Sequence, residues 1–353
     1  MEYKTFLEQL LDAIITQNGS DIHLAEGRYP TIRVSGALIP LLNTKIFERE
    51  DTVGILKNIV SKEMLDKFEK ELELNFAYEY TGGHRFRGNA FVQQGKIGIV
   101  LRLIANKIPT LKELNVPEVL YNFARKKQGF FILVGPVGQG KTTTLASMVD
   151  RINQERSEHI ITIEEPIEYV HIQKKSIIDQ REVPIDTKDF YTGLIGTLRQ
   201  DVNVILLGEM RDKETIQAAV TAAETGHLVF STLHTNNAAQ TIDRIIDSFP
   251  AEQQDQIRIQ LSTSLLGIFS QRLIPRISGG MIPAYELLVN NTAVANLIRE
   301  KRTHELDSII ETGRDMGMID MNRTLVELVH EGEITIENAF AYSLKPNILE
   351  KLI

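Results

Sequence analysis

Cysteine is absent from the 353-residue chain. Disulfides, thiolate zinc sites and thiol nucleophiles are therefore excluded, and this composition is typical of proteins from a reducing compartment. No stretch approaches the roughly 18 consecutive apolar residues that a membrane-spanning helix needs. The first residues, Met1 to Lys4, also lack the basic and apolar regions of an export signal. We therefore expect a cytoplasmic protein that is neither secreted nor inserted in a membrane by itself.

An excess of positive charge is missing as well. The chain carries 47 acidic residues against 39 lysines and arginines, which gives a net charge of −8. The protein as a whole is therefore not attracted to nucleic acid, although net charge says nothing of a local basic channel. Because no basic stretch is rich in aromatic residues, we expect no nucleic-acid partner. The hydrophobic fraction of 42% is large enough for a substantial core.

The first 105 residues or so predict a small α+β unit. The expected elements are a helix at 4–16, strands at 21–24 and 31–34, helices between 50 and 70, and two paired strands within 84–104 that turn at Gln94-Gly95. In the paired strands polar and apolar residues alternate, so that Arg85 and Arg87 share one face and Phe86 lies on the other. Arg102, on the second of these strands, joins them as a candidate for contacting phosphate, since guanidinium groups match phosphate oxygens. The alternative is an ordinary solvated sheet face.

Beyond Pro109 and Pro117, which mark a hinge, the pattern changes. Apolar runs typical of buried strands alternate with helical segments. The expected strands are 130–134, 160–163, 204–207 and 228–233, and the expected helices are 142–154, 188–199 and 213–225. Such alternation predicts a mostly parallel sheet covered by helices on both faces. A strand at 283–289 and a largely helical remainder follow, and the fold class is α/β with proposed domains 1–107 and 119–353 joined by a linker at 108–118.

A complete phosphate-binding pattern, G-x-x-x-x-G-K-[ST], occupies Gly135–Thr142 between an expected strand and an expected helix. Glycines let backbone N–H groups curl around phosphates, Lys141 supplies a positive charge, and the Thr142 hydroxyl can ligate Mg²⁺. The alternative, a glycine-rich turn with an incidental lysine, does not explain this placement. We predict a triphosphate ligand, bound by Gly135, Gly138, Gln139, Gly140, Lys141, Thr142 and Thr143.

Two expected strands end in carboxylates. Residues 204–207 lead into Glu209, and residues 161–163 lead into Glu164 and Glu165, which are followed by the strand-breaking Pro166. Carboxylates at the phosphate-binding end of a parallel sheet can hold Mg²⁺ or position water. We predict Glu209 and Glu164 as catalytic, and Thr142, Glu165 and Glu209 as metal ligands. Which glutamate acts as general base is left open, as is a merely solvated loop at 164–168.

Histidines flank the expected strand 228–233 at opposite ends. At the end of this strand Thr232 or His234 could detect the loss of a γ-phosphate through a hydrogen bond that changes, and His234 is a catalytic candidate. His227 precedes the strand and is a candidate for binding nucleotide, with a purely structural role as the alternative. Zinc is not expected, because the two histidines are separated by the strand and no further ligands cluster with them.

Taken together, these motifs closely resemble the secretion-ATPase superfamily, and within it the type IV pilus retraction ATPases. The matching segments are Gly135–Thr142, Ile161–His171, Leu198–Asp201 with Gly208–Asp212, and Thr225–His227 with His234–Asn236. The resemblance implies a PAS-like N-terminal domain, a RecA-like P-loop ATPase domain, and a homo-hexamer whose arginines meet a neighbour's nucleotide. It further implies ATP and Mg²⁺ as cofactors. The partners it implies are an inner-membrane pilus platform protein and a paralogous subunit.

The resemblance therefore predicts a hexameric motor that hydrolyses ATP to retract type IV pili, the basis of twitching motility, at the inner face of the cell membrane beneath the pilus. Two departures stand out. Glu164-Glu165 replaces the usual Glu-Asp, and Ala295 replaces the first arginine of the retraction-linked A-I-R-N-L-I-R-E motif, one turn before Arg299. The second departure leaves retraction competence open. The alternatives are a pilus-assembly or type II secretion ATPase, an accessory subunit of the same family, and a RecA-like nucleic-acid translocase.

Overall fold

Two compact units make up the protein in the computed structural model, which describes residues 3–34, 36–104 and 107–353. One unit comprises Met1–Lys107 with Glu168–Val170, and the other comprises Ile108–Ile167 with His171–Ile353. The proposed linker 108–118 contributes the buried side chains of Leu111 and Val116 to the core of the second unit. The exact domain limits drawn from the sequence stay a prediction.

The first unit is an antiparallel sheet of six strands with helices on one face. Its elements are α1 (Tyr3–Thr16), β1 (Asp21–Ala25), β2 (Thr31–Val34), β3 (Ala37–Pro40), α2 (Arg49–Ile59), α3 (Lys62–Glu71), β4 (Glu73–Tyr80), β5 (His84–Gln93) and β6 (Lys96–Ile104), and the strand order is β3-β2-β1-β6-β5-β4. The turn between β5 and β6 requires positive φ at Gln94 (51°) and Gly95 (75°), as in the favoured two-residue hairpins. The alternation predicted for β5 is confirmed, because Phe86 is fully buried whereas Arg85 and Arg87 are half-buried.

The second unit is built on a seven-stranded sheet. Its elements are α4 (Leu120–Ala124), β7 (Gly129–Val134), α5 (Lys141–Glu155), β8 (His159–Glu164), β9 (Ile177–Glu182), α6 (Phe190–Thr197), β10 (Val204–Leu207), α7 (Lys213–Glu224), β11 (Leu228–Leu233), α8 (Ala238–Asp247), α9 (Ala251–Ser264), β12 (Leu265–Pro275), β13 (Met281–Val289), α10 (Thr292–Arg299), α11 (Leu306–Thr312), α12 (Met321–His330), α13 (Ile336–Tyr342) and α14 (Pro346–Leu349). The strand order is β13-β12-β7-β11-β10-β8-β9, and every pair is parallel except β12 with β13. The predicted mostly parallel sheet is confirmed.

Helices cover both faces of this sheet, as the apolar strands predict. Along β7, Phe130, Ile132 and Val134 are buried in a core shared with α6 to α10. The alternate residues Phe131 and Leu133 are buried in a second core shared with α4 and α5. A strand whose every residue is buried reads as a continuous apolar run, and this is why β7 could be recognised from sequence.

Four strands were not predicted: β3, β4, β9 and β12. The strand β12 follows α9 without any intervening residue, because Ser264 ends the helix and Leu265 begins the strand. No turn residue marks that change of structure, so sequence pattern alone does not reveal it. Among the described residues, no helix combines the length and apolar character required to cross a bilayer.

A buried carboxyl group connects the edge strand β13 to the start of α8. Glu286 is 7% exposed, and its Oε1 accepts a hydrogen bond of 2.8 Å from the backbone N–H of Ala238. Burial raises the pKa of Glu286 to about 7, although the bond from Ala238 works in the opposite direction. The folded protein therefore holds a proton on Glu286 over a pH range in which an exposed glutamate has lost it.

This protonation predicts a pH-dependent stability. The folded state binds more protons than the unfolded chain between the ordinary pKa of 4.5 and the raised value of about 7, so the free energy of unfolding falls as pH rises through that window. The loss attributable to Glu286 is roughly 3 kcal/mol, at about 1.4 kcal/mol per pKa unit. In Glu286→Gln this decline should disappear, measured as urea midpoints from pH 5 to 8. Glu337→Gln, at an exposed position, is the control and should keep the wild-type slope, and an unchanged slope in Glu286→Gln would contradict the assignment.

Candidate functional site

The phosphate-binding pattern forms the connection between β7 and α5. Its three glycines adopt positive φ, at 142° for Gly135, 78° for Gly138 and 74° for Gly140. A Cβ on Gly135 would lie 2.3 Å from the backbone oxygen of Gln271, whereas no atom lies within 4 Å of the corresponding position at Gly138. The glycines therefore serve two purposes: they permit a left-handed path, and at Gly135 they permit close contact with β12.

Lys141 begins α5 and points back into its own loop. Its Nζ donates to the carbonyl oxygens of Gly135 (2.7 Å) and Pro136 (2.8 Å), and it lies 3.4 Å from Nδ1 of His234. The residue is only 7% exposed. A buried ammonium group at the N-terminus of a helix adds to the positive end of the helix dipole and produces a site that favours anions. Thr142 and Thr143 follow in the first turn and are half-buried.

Glu209 lies where β10 ends and has two partners. Its Oε2 is 3.1 Å from Nε2 of His234, and its Oε1 forms an ion pair with the guanidinium of Arg211. Arg211 also forms an ion pair of 2.6 Å with Glu165, so that one guanidinium connects the carboxylates at the ends of two neighbouring strands. Two glutamates held this close would repel one another without a cation between them.

Glu164, the last residue of β8, is placed differently from its neighbour Glu165. It is 6% exposed, and its Oε1 accepts hydrogen bonds from Thr162 (2.6 Å) and Gln180 (3.3 Å). Glu165 is exposed. The predicted acidic motif therefore divides into a buried, hydrogen-bonded carboxylate and an accessible one. The assignment of the general base between Glu164 and Glu209 stays open, since each is held in place by other side chains.

The structure brings most of the predicted residues of the second unit together. Lys141, His234, Glu209, Arg211 and Glu165 form a continuous series of contacts along the carboxyl ends of the parallel strands, where this class of fold binds its ligands. The sensor position predicted for His234 is therefore supported by its contacts on both sides. Its catalytic role stays a prediction.

His227 lies elsewhere. It precedes β11, whose first residue is in register with Gly129 at the start of β7, so His227 is at the amino edge of the sheet. Six residues of strand separate that edge from the loop, roughly 20 Å. Its Nδ1 lies 2.9 Å from the backbone oxygen of Ala222 near the end of α7. The nucleotide-binding role predicted for His227 is not supported by its position in its own chain, and the structural alternative agrees with this contact.

The three candidate arginines lie in the first unit. Arg87 and Arg102 are directly opposite one another on β5 and β6, and Arg85 is two residues away on the same face. Arg102 donates to Asp21 at 2.7 Å. Burial acts to raise the pKa of Asp21, but hydrogen bonds from Arg102 and Ser20 outweigh burial and hold that pKa below its ordinary value. Asp21 therefore neutralises the charge of Arg102 within the first unit.

Two residues of the site were missed by sequence reasoning. Arg211 lies inside a motif that had been recognised, and only the structure shows that it joins two carboxylates. Gln271, on β12, contacts the phosphate-binding loop although it is 132 residues away from Gln139. No local sequence pattern predicts a contact between residues so far apart.

The donor set agrees with a magnesium ion that arrives with phosphate. Within the described ranges, no three histidine or carboxylate side chains converge as a self-sufficient metal site. Mg²⁺ usually keeps several waters and is held by one or two protein oxygens together with substrate phosphates. Thr142 on α5 and the carboxylate of Glu209, which is 19% exposed at its side chain, are oxygens of the appropriate kind at the appropriate edge of the sheet.

Comparison with known proteins gives consistent matches over nearly the full chain. The family described as "Type II/IV secretion system protein" matches residues 2–338. The type IV pilus retraction ATPase PilT of Pseudomonas aeruginosa is 44% identical, covering 94% of this chain and 96% of that protein. The type IV pilus ATPase PilU of the same organism is 40% identical, covering 98% and 91% respectively. A crystal structure of the pilus retraction motor PilT with bound ADP matches with a TM-score of 0.92 at 45% identity, covering 98% of each chain.

The position of Lys141 predicts the effect of its removal. In Lys141→Ala, affinity for ADP should fall at least 100-fold, because the ammonium is the charge at the centre of the loop. Titration of the purified variant with a fluorescent ADP analogue measures this. The urea midpoint should stay near the wild-type value, since the ammonium group contacts polar groups, namely carbonyls of its own loop and the ring of His234. Arg125→Ala, which removes an exposed ion pair with Glu155 on the same unit, serves as control and should bind ADP normally. Undiminished binding by Lys141→Ala would show that the nucleotide site lies elsewhere.

Proposed function

Because the chain belongs to the Type II/IV secretion system protein family, we propose that it is an ATPase motor that retracts type IV pili. The resemblance drawn from the motifs is confirmed by these matches, as is the predicted fold class, a P-loop ATPase unit with a smaller α+β unit. The observation that carries the proposal is the series of contacts from Lys141 through His234 to Glu209. These contacts at one edge of the sheet support a phosphate-binding role for Lys141 and a water- or metal-directing role for Glu209.

In the proposed reaction, the loop Gly135–Thr142 binds the β- and γ-phosphates through backbone N–H groups and Lys141. Mg²⁺ supplies charge neutralisation when bound, held by Thr142 and Glu209. Either Glu209 or Glu164 orients the attacking water. His234 lies between Lys141 and Glu209. Loss of the γ-phosphate would therefore alter its contact with Lys141 or its contact with Glu209. Hydrolysis thereby becomes detectable by the protein.

The motor is proposed to act as a homo-hexamer in which arginines of one subunit reach the nucleotide of the next. The support is chemical: Arg85, Arg87 and Arg102 share one sheet face, and guanidinium groups stabilise the charge of transferring phosphoryl groups. The proposed partners are an inner-membrane pilus platform protein and a paralogous subunit, at the inner face of the membrane beneath the pilus.

An accessory role is the second candidate. The similarity to PilU is almost as strong as that to PilT. Ala295 on α10 is half-buried where the retraction-linked motif has arginine, while Arg299, one turn later, is exposed. Purified rings with negligible turnover would favour the accessory role.

Retraction can be measured directly in Pseudomonas aeruginosa cells that lack their own PilT. Expression of this chain should restore pilus shortening, followed by fluorescent pilus labelling, whereas Lys141→Ala should not. An assembly ATPase would instead increase pilus number without shortening.

If Ala295 limits the interaction with the platform, Ala295→Arg should raise the retraction frequency while leaving purified ATP turnover unchanged. Failure of the wild-type chain and of Ala295→Arg alike, despite normal turnover, would contradict the retraction function in this host.

Mixed rings test whether Arg87 of one subunit acts on the nucleotide of its neighbour. Arg87→Ala should reduce turnover by on the order of 10³, since a finger acts on the transition state, while leaving ADP affinity nearly intact. Glu209→Gln should also be inactive. Mixed rings of the two variants should regain activity at interfaces where one subunit supplies Glu209 and its neighbour supplies Arg87. Mixtures that stay inactive although both variants co-assemble would remove the support for a shared site.

A further inference from the structure

The side-chain amide of Gln271 connects β12 to the phosphate-binding loop and to the first turn of α5. Its Nε2 donates to the backbone oxygen of Gln139 at 2.7 Å, and its Oε1 accepts from the hydroxyl of Thr144 at 2.8 Å. Gln271 is 2% exposed and Thr144 is 1% exposed. A buried amide whose donor and acceptor are both used is held in one orientation, because rotation by 180° would break both bonds.

Further contacts join the same two segments. The side-chain Oε1 of Gln139 accepts from the backbone N–H of Leu273 at 2.7 Å, so each of the two glutamines bonds to the backbone of the other's segment. The close approach of Gly135 to the backbone oxygen of Gln271 adds a third point of contact. The strand β12 therefore approaches the loop at Gly135 and bonds to it at Gln139, and it bonds to the first turn of α5 at Thr144.

The bond from Gln271 to Gln139 also determines where the next N–H points. The Gln139–Gly140 peptide is trans, since the cis bonds of the described chain are Glu165–Pro166 and Val183–Pro184. In a trans peptide the C=O and the following N–H point in opposite directions. A carbonyl held toward β12 therefore directs the Gly140 N–H away from β12. In phosphate-binding loops such N–H groups are the ones that contact the ligand.

We propose that Gln271 is a positioning residue for nucleotide binding, which acts by holding the Gln139–Gly140 peptide and the first turn of α5 in the orientation that phosphate requires. The proposal rests on the proposed function, and it concerns a residue that does not itself contact nucleotide. Its loss leaves the loop to sample other orientations, so ligand binding must then restore the lost order. The effect should appear in the affinity for both ADP and ATP, since both carry the β-phosphate.

Three variants separate the two bonds. Gln271→Met keeps similar volume and removes both bonds. Gln271→Glu keeps an acceptor for Thr144 but replaces the donor to Gln139 with an oxygen that repels the carbonyl. Thr144→Val removes the other bond alone. At about fivefold for each hydrogen bond, ADP affinity should fall about 25-fold in Gln271→Met and about fivefold in Thr144→Val. In Gln271→Glu, which loses one bond and adds a repulsion, it should fall more than about fivefold. In the Gln271→Met background, Thr144→Val should have little further effect.

Asn322→Leu is the matched control for general damage. Asn322 is 5% exposed in the same unit, and its amide likewise joins two partners, the backbone oxygen of Lys345 and the hydroxyl of Ser343. The experiment measures ADP affinity by displacement of a fluorescent analogue, with the urea midpoint and ATP turnover recorded for every variant. For Gln271→Met, KM for ATP should rise about 25-fold, by the same fivefold per bond, while kcat at saturating ATP stays within about threefold. Asn322→Leu should keep the wild-type affinity and KM even where its midpoint falls.

The results distinguish this inference from the function on which it rests. If Lys141→Ala loses ADP and the Gln271 variants bind within twofold of wild type, the positioning role is wrong and the nucleotide site stands. If affinity falls only in proportion to the urea midpoint, with Asn322→Leu on the same line, Gln271 is structural and the proposal is again overturned. If Lys141→Ala binds ADP normally, the nucleotide site itself is wrong.

Discussion

The catalytic half of this protein depends on one lysine ammonium group placed at the carboxyl edge of a parallel sheet. Lys141 is held by two carbonyls of its own loop and contacts His234, which directly follows the neighbouring strand β11. The sheet must be parallel for this to occur, because only then do β7, β10 and β11 end side by side. This arrangement of strand ends requires apolar strands in the sheet, helices on both of its faces and glycines with positive φ in the loop.

Cations organise the surrounding carboxylates. Arg211 forms ion pairs with Glu165 and Glu209, and the imidazole of His234 contacts Glu209. In the first unit a comparable arrangement joins Arg102 to Asp21. In both places the charge of one residue determines the position of another, and the net charge of the chain is no guide to local charge.

Local features of the fold could be predicted from the sequence, and long-range features could not. The loop at Gly135–Thr142 and the hairpin at Gln94-Gly95 were predictable because backbone geometry there is set by adjacent residues. The amino-edge position of His227 was also contained in the sequence, since the residue precedes its strand. The support of the loop by Gln271 depends on strand order, which places β12 beside β7 although more than 120 residues separate Thr144 from Gln271. No window along the chain contains both partners.

The direct junction of α9 and β12 has a mechanical consequence. Arg258 on α9 donates to the backbone oxygen of Ile298 on α10 at 3.3 Å, and Asp255 on α9 pairs with Lys301, two residues after α10 ends. Ser264 and Leu265 are consecutive, so α9 passes directly into β12, whose pairing with β7 shifts register between Leu265 and Gly267. Because no loop separates α9 from β12, a displacement of α9 must be accommodated at this junction or within β12, the strand that carries Gln271.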